Sequence, residues 1–210
     1  MPRLRNALLG TVILVLSVGS CVDPAGKFSE FDLRVIDAGM PAVGTGCKLG
    51  EIPDVTGEFL MSLDTSIAPG AFLKFIGTTV IDKTVNPAVL SITLQPLCTQ
   101  AAAACTLNEP LGAPFVMDDT DVDENCDYTV PISGIALEGG ANPISGSALV
   151  GELVMSGNLR DADLYCGIVN GDADVGSIVN IDNSTFGAIR IAPGTTGDAL
   201  PDSVGACPAE

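Results

Sequence analysis

The densest chemistry in this chain is acidic. Residues 118–127 read Asp-Asp-Thr-Asp-Val-Asp-Glu-Asn-Cys-Asp, and Asp119, Asp121, Asp123 and Asn125 fall at alternating positions. Alternating oxygen donors are the way a calcium loop presents its early ligands. The match then fails, because Glu124 stands where the sharp turn needs glycine and Val130 where a bidentate glutamate would close the shell. The competing reading is a strand over Val116–Val122 followed by a polar turn at Asp123-Glu124-Asn125. Asp161/Asp163 and Asp172/Asp174 are weaker pairs of the same kind. Ca²⁺ is therefore the one cofactor for which the sequence offers even weak candidates, and no other cofactor is implied.

The chain has no histidine. That removes the usual general base, the Ser-His-Asp and Cys-His machines and the commonest transition-metal ligand. A Ser-Lys arrangement would draw on Lys27, Lys48, Lys74 or Lys83, but none sits beside a serine in a recognisable motif. Paired carboxylates can hydrolyse glycosides. With 26 acidic residues some pair will stand at a suitable separation by chance, and no Trp and only Tyr128 and Tyr165 offer a sugar platform. No catalytic constellation emerges, and the expectation is a protein that is not an enzyme.

Sulfur carries more information. The seven cysteines are Cys21, Cys47, Cys98, Cys105, Cys126, Cys166 and Cys207. Without histidine or a C-x-x-C pair, zinc is a poor use for them. A reactive thiolate wants a positive neighbourhood, and Cys166 lies in the acidic, alternating run 161–167. Disulfides in an oxidising compartment are the better use. An odd count leaves one thiol to explain. Cys98 and Cys105 flank a short segment that can be stapled locally, so they form the best single pair. The other candidates are Cys47, Cys126, Cys166 and Cys207.

The leftover thiol has a natural place. Arg3 and Arg5 form a basic head, Ala7 to Val18 an uncharged apolar run, and Gly19-Ser20 bring small residues up to Cys21. These are the parts of a secretory signal, in a run too short to span a bilayer, which needs about 20 apolar residues. Val18-Gly19-Ser20-Cys21 resembles the lipobox of bacterial lipoproteins. That resemblance implies cleavage before Cys21 and acylation of both its sulfur and its new amino terminus. Several acyl chains would anchor the protein stably, where one chain would not. Lipidation of Cys21 leaves six cysteines, enough for three disulfides.

Removing residues 1–20 takes away two arginines and no acid, which leaves seven basic against 26 acidic side chains and a net charge of −19. Such a surface repels nucleic acid, whose binding needs Lys and Arg on phosphates. It would repel anionic headgroups too, so membrane attachment falls to the lipid. Strong acidity can mean disorder, but 47% apolar residues and a mean hydropathy of +0.43 argue for a folded body.

The elements that would position these residues are strands. Residues 22–53 are punctuated by Pro and Gly, a composition that breaks regular structure. They suit a flexible tether with a reach of roughly 30 Å, interrupted by one short helix or strand over Phe28–Ala38. From Val55 the period is two. Val55, Gly57, Phe59, Met61 and Leu63 share one face, with Leu60 the exception; Leu73, Phe75 and Ile81 share another. Leu90, Ile92 and Leu94 alternate with polar residues, as do Tyr128, Val130 and Ile132. Runs over 147–158, 162–170, 175–181 and 186–191 are less clean but strand-like. Strict alternation marks a half-buried strand. Turn chemistry at Asn86-Pro87, Pro110-Leu-Gly112, Gly139–Pro143 and Asn170-Gly171 separates them. Pro131 within a strand predicts an edge or a bulge, and the alanines at 101–104 a single helical turn. Eight or nine such strands predict an all-β domain, an antiparallel β-sandwich, with a small β-barrel as the alternative. The expected organisation is 1–20 signal, 21–53 lipidated tether, and 54–210 one domain whose tail after Pro193 is loose until Cys207 pins it.

Five stretches together resemble a family of uncharacterised lipoproteins of myxobacterial type. They are residues 21–31, Asp54–Leu60, Ala141-Asn-Pro-Ile-Ser-Gly146, Asp163-Leu-Tyr-Cys-Gly167 and Ser184–Ile191. The resemblance implies an envelope location and a β-rich domain, with no activity to carry over. The combined expectation is a protein anchored by its N-terminal lipid to the bacterial envelope, outer membrane favoured. Its function would be a non-enzymatic binding or interaction module for an unidentified envelope or extracellular partner. An acidic surface-coat component is the alternative, and a carboxylate-dependent hydrolase the more remote one.

Overall fold

Alternating sequences build sheets, and this one closes its sheet on itself. The computed structural model describes residues 51–100 and 104–208. The signal, Cys21, Cys47, Lys27, Lys48, most of the tether and the alanines 101–103 lie outside the described residues. The strands are β1 (Gly57–Asp64), β2 (Leu73–Asp82), β3 (Ala88–Pro96), β4 (Phe115–Val122), β5 (Asp127–Leu137), β6 (Leu149–Asp161), β7 (Leu164–Asp174), β8 (Ile178–Asn180) and β9 (Ser184–Ile191). Each pairs antiparallel with its sequence neighbour from β1 to β7. β9 then returns between β7 and β1, and β6 pairs β7, so eight strands form a closed barrel with β8 as an extra. β8 and β9 lie along successive parts of the same edge of β7.

The expected β-sandwich is thereby corrected to a barrel. Inward–outward alternation is common to both architectures, and what decides is the pairing of first strand with last: Glu58 faces Ile191 and Asp64 faces Thr185. An eight-stranded barrel is just wide enough for its own side chains to fill. Here Phe59, Met61, Phe75, Leu90, Ile92, Leu94, Met155, Tyr165 and Phe186 fill it, all nearly inaccessible. Tyr165 is the hub, edge-on to Phe59 at 5.0 Å and to Phe186 at 6.4 Å between centroids. Room for the tyrosines comes from missing side chains opposite: a Cβ on Gly157 would stand 2.5 Å from the Tyr128 ring.

Leu60 breaks the alternation for a reason. On the outside of the wall it joins Ile76, Leu97 and Ile191 in a second apolar cluster, with Ile189 and Leu200 against it. The chain after β9 runs back over the barrel exterior. Thr185 donates its hydroxyl hydrogen to Gly205 C=O at 2.7 Å, and Cys166 is bonded to Cys207. A Cβ on Gly187 would lie 2.6 Å from Val204 O, so glycine lets the tail pass. The tail expected to be loose up to Cys207 is a strap.

Two other local expectations change. Asn170-Gly171 is not a hairpin turn but lies inside β7, and the reversal falls at 175–177, between Asp174 and Ile178. Gly171 serves close strand approach instead, because a Cβ there would meet Glu152 O at 2.3 Å. Pro131 itself pairs in register with Val154, and the β5–β6 register shifts only beyond it, between Ile132 and Ile135. On the other side of β5, the ladder to β4 is a single pair, Val122 with Tyr128, among the described residues.

Candidate functional site

The two ends of the barrel differ. At the entry end, where the chain runs into β1, Val55 is wholly buried and the hydroxyl of Thr79 donates to Val55 C=O. Arg190, directly opposite Phe59 in the β1–β9 ladder, braces this segment at the rim of the barrel. Its Nη1 donates to Thr56 C=O at 2.8 Å, Nη2 to Asp54 C=O at 3.0 Å, and Nε to Ala162 C=O at 3.0 Å and Asp163 Oδ1 at 2.8 Å. Its guanidinium also lies over the Phe59 ring, 4.7 Å from the centroid. The carboxyl of Asp54 is held below the usual aspartate range, chiefly by the Thr56 backbone and hydroxyl, with smaller help from Lys83 and Arg190.

The far end, where β1–β2, β5–β6 and β7–β8 are joined, is not completely filled. A largely enclosed recess of about 40 Å³ lies among Leu63, Leu73, Phe75, Leu149, Leu153 and Ile181. The connections over it are tied down. Ser184 Oγ accepts from Ser66 N–H at 3.1 Å and donates to Ile181 C=O at 2.6 Å, fastening the β1–β2 turn to the β8–β9 joint. Asn142 is fully buried and organises the β5–β6 loop. Its Nδ2 donates to Ser145 Oγ and Ser147 C=O, both at 2.9 Å, and its Oδ1 accepts from Ile144 N–H at 3.1 Å. Thr65, at the exit of β1, also lines the recess; it is 2% exposed and its hydroxyl has no hydrogen-bonding partner.

Neither Thr65 nor Asn142 stood out in the sequence as a site residue. Asn142 was legible only as part of the Gly139–Pro143 turn. Thr65 carries no signal beyond being polar directly after an alternating strand.

The acidic candidates are not brought together. Asp119, Asp121, Asp123 and Asn125 are all exposed, strung along β4 and the turn beyond it, and Asp119 occupies a bulge with φ 55°. Asp123 acts as a turn former: its Oδ1 accepts from Asn125 N–H at 2.8 Å and from Asp127 N–H at 2.9 Å. Asp161 accepts from Asp163 N–H, and Asp174 from Gly176 N–H, each at 2.8 Å. Among the described residues no group of three or more carboxylate or cysteine side chains is placed to hold a metal ion. The turn reading of 123–125 is the one these hydrogen bonds display.

Cysteines follow the stapling expectation where they are described. Cys98 is joined to Cys105, the pair singled out by spacing, and Cys166 to Cys207. Cys126 is disulfide-bonded as well. Outside the barrel, Val150, Val154 and Ile178 are 53%, 41% and 77% exposed and lie beside Glu152, Asp172 and Asp174.

The architecture is thus a small closed antiparallel β-barrel with charged side chains outside and one end incompletely packed. No protein-family model, no curated protein and no solved structure matches the chain.

Proposed function

We propose that this protein is a lipid-anchored, non-enzymatic binding module of the bacterial envelope, carried at the outer membrane on an N-terminal tether. The observation behind the binding reading is the distribution of polarity. No charged group among the described side chains is buried, and the barrel interior is filled mainly by apolar side chains. Groups that shuttle protons must converge on a shielded point, whereas recognition needs only shape and apolar surface. The exposed Val150, Val154 and Ile178 favour a binding module over an acidic coat, because a coat has no use for aliphatic residues in water.

Support for the anchor comes from sulfur arithmetic. The sequence has seven cysteines, an odd number that disulfide pairing alone cannot use up, and the five described ones are disulfide-bonded. A lipid on Cys21 accounts for the remainder. Crosslinking in intact cells, followed by recovery of the protein, tests the binding reading. A discrete partner or ligand is the expected outcome; a protein that crosslinks only to copies of itself points to the coat.

A further inference from the structure

Among the described residues, β8 is the only strand that pairs on one side alone, with β7. Two flanking bonds fix which way its backbone faces. Val175 N–H donates to Ser177 C=O at 3.3 Å, and Ile181 N–H to Gly171 C=O at 2.9 Å. In an antiparallel ladder the bonded pairs recur at every second residue. Val179 therefore turns its N–H and C=O toward β7, while Ile178 and Asn180 turn theirs away. No hydrogen bond among the described residues takes up those outward groups. A free edge of this kind is a template for another strand. Edges are commonly protected by lysine, proline or a covering segment. β8 has no lysine or proline, Ile178 is 77% exposed and Asn180 is exposed. Shortness is the remaining protection; it limits an added strand to a few residues but leaves both donors and both acceptors in reach.

Charge selects the strand. On the outer face Asp174 stands opposite Ile178 and Asp172 opposite Asn180, with Glu152 of β6 opposite Asp172. Asp182, just past β8, is exposed as well. The described cations are Lys74, Lys83, Arg160 and Arg190; none lies on β5, β7 or β8, and Arg160 sits at the other end of β6 from Glu152. On the inner face Val179 lines the far-end recess together with Ile67, which is 44% exposed.

We propose that β8 receives an extended basic segment of a partner protein as an added strand, in which arginine or lysine alternates with an aliphatic residue. The cations stand opposite Ile178 and Asn180 on the outer face, their stems along Ile178 and their heads toward Asp172 and Asp174. β7 lies two strand spacings, about 10 Å, from the added strand, a gap that an extended arginine and an aspartate bridge between them. The aliphatic residue opposite Val179 faces the side of Ile67. A second copy of this chain is the wrong occupant, because joining two β8 edges sets the same carboxylates of both copies against each other. This proposal rests on reading the protein as a binding module and names its partner's chemistry and the seat it takes.

The test is a titration of the full purified protein with an end-blocked heptapeptide of alternating arginine and valine, followed by backbone-amide NMR. Saturable binding with slowed hydrogen exchange at the Ile178 and Asn180 amides is expected. The same peptide N-methylated at its arginines keeps the charge and loses the donors that face β8, and it is expected not to bind. Asp172→Asn combined with Asp174→Asn preserves the acceptor oxygens of both side chains and is expected to weaken binding about three- to tenfold. Ile178→Pro removes an outward N–H, spares the bonds to β7 and is expected to abolish binding; if it does not fold, the N-methylated peptide decides alone. Equal binding of the N-methylated peptide, shifts that map away from β8, undiminished affinity in the double asparagine variant, or a dimer joined through β8 overturns the proposal. Absence of peptide binding alongside a crosslinked partner in cells sinks this proposal and leaves the binding-module reading intact.

Discussion

Tyr165 stands edge-on to Phe59, 5.0 Å between ring centroids, inside a barrel that gives its hydroxyl no hydrogen-bonding partner. Tyr128, the other tyrosine of the chain, is in the same position, and its ring centroid is 6.5 Å away. Burial raises the ionisation of both phenols above the ordinary value near 10.

The sign of the resulting pH dependence follows. Below pH 10 both states keep their phenolic protons, and the tyrosines add no slope. Above it the unfolded chain releases protons that the folded one retains, so stability falls as pH rises, by about 1.4 kcal/mol per pH unit for each tyrosine. Tyrosinate absorbance is expected to appear together with loss of the β circular dichroism signal in one alkaline transition. Tyrosinate forming at the ordinary phenol pH in a still-folded protein would contradict the buried placement.

The strap over Leu60 and Ile76 depends on the Cys166–Cys207 bond. Cys207→Ser is expected to cost about 2–4 kcal/mol, since the bond closes a long stretch of chain. It should also increase binding of a hydrophobic dye as the outer cluster opens. Cys105→Ser opens a loop of sequence separation 7 rather than 41 and is expected to cost about 1.5 kcal/mol less. Denaturant midpoints under oxidising conditions compare the two.

Arg190 holds three backbone carbonyls and one carboxylate with one planar group. Lysine cannot reproduce that fork. Arg190→Lys and Arg190→Met are expected to lose similar stability, about 1–3 kcal/mol. Both should make the backbone near 54–56 more sensitive to limited proteolysis. Full rescue by lysine would mean that charge, not geometry, is what matters here.

For the anchor, Cys21→Ser is expected to move the protein from the membrane fraction to the soluble one and to end fatty-acid labelling. Retention of the variant in washed membranes would remove the lipid from the reading.

The strands were legible because burial imposes a period of two, and Leu90, Ile92 and Leu94 could hardly be read otherwise. Closure was not legible. Whether β1 ends up beside β9 depends on cumulative twist and stagger, which no local pattern encodes. Leu60 announced itself as an exception, but its cause is a tail more than a hundred residues distant. Asn170-Gly171 misled because glycine has two uses in sheets, reversing a chain and letting strands approach closely, and local sequence does not separate them. The recess was hidden for a related reason: an incompletely filled space belongs to no residue in particular. The pairing of Cys98 with Cys105 was readable because both ends of that contact are local.

Pairing Glu58 with Ile191 also has a consequence in time. The last wall segment is the one that completes the first, so a ribosome still short of residue 191 holds a chain whose barrel cannot shut. Partial products expose one unsatisfied β1 edge for the whole of synthesis. Such a polypeptide stays threadable until its final strand emerges, and becomes resistant to threading only once the two distant segments have met.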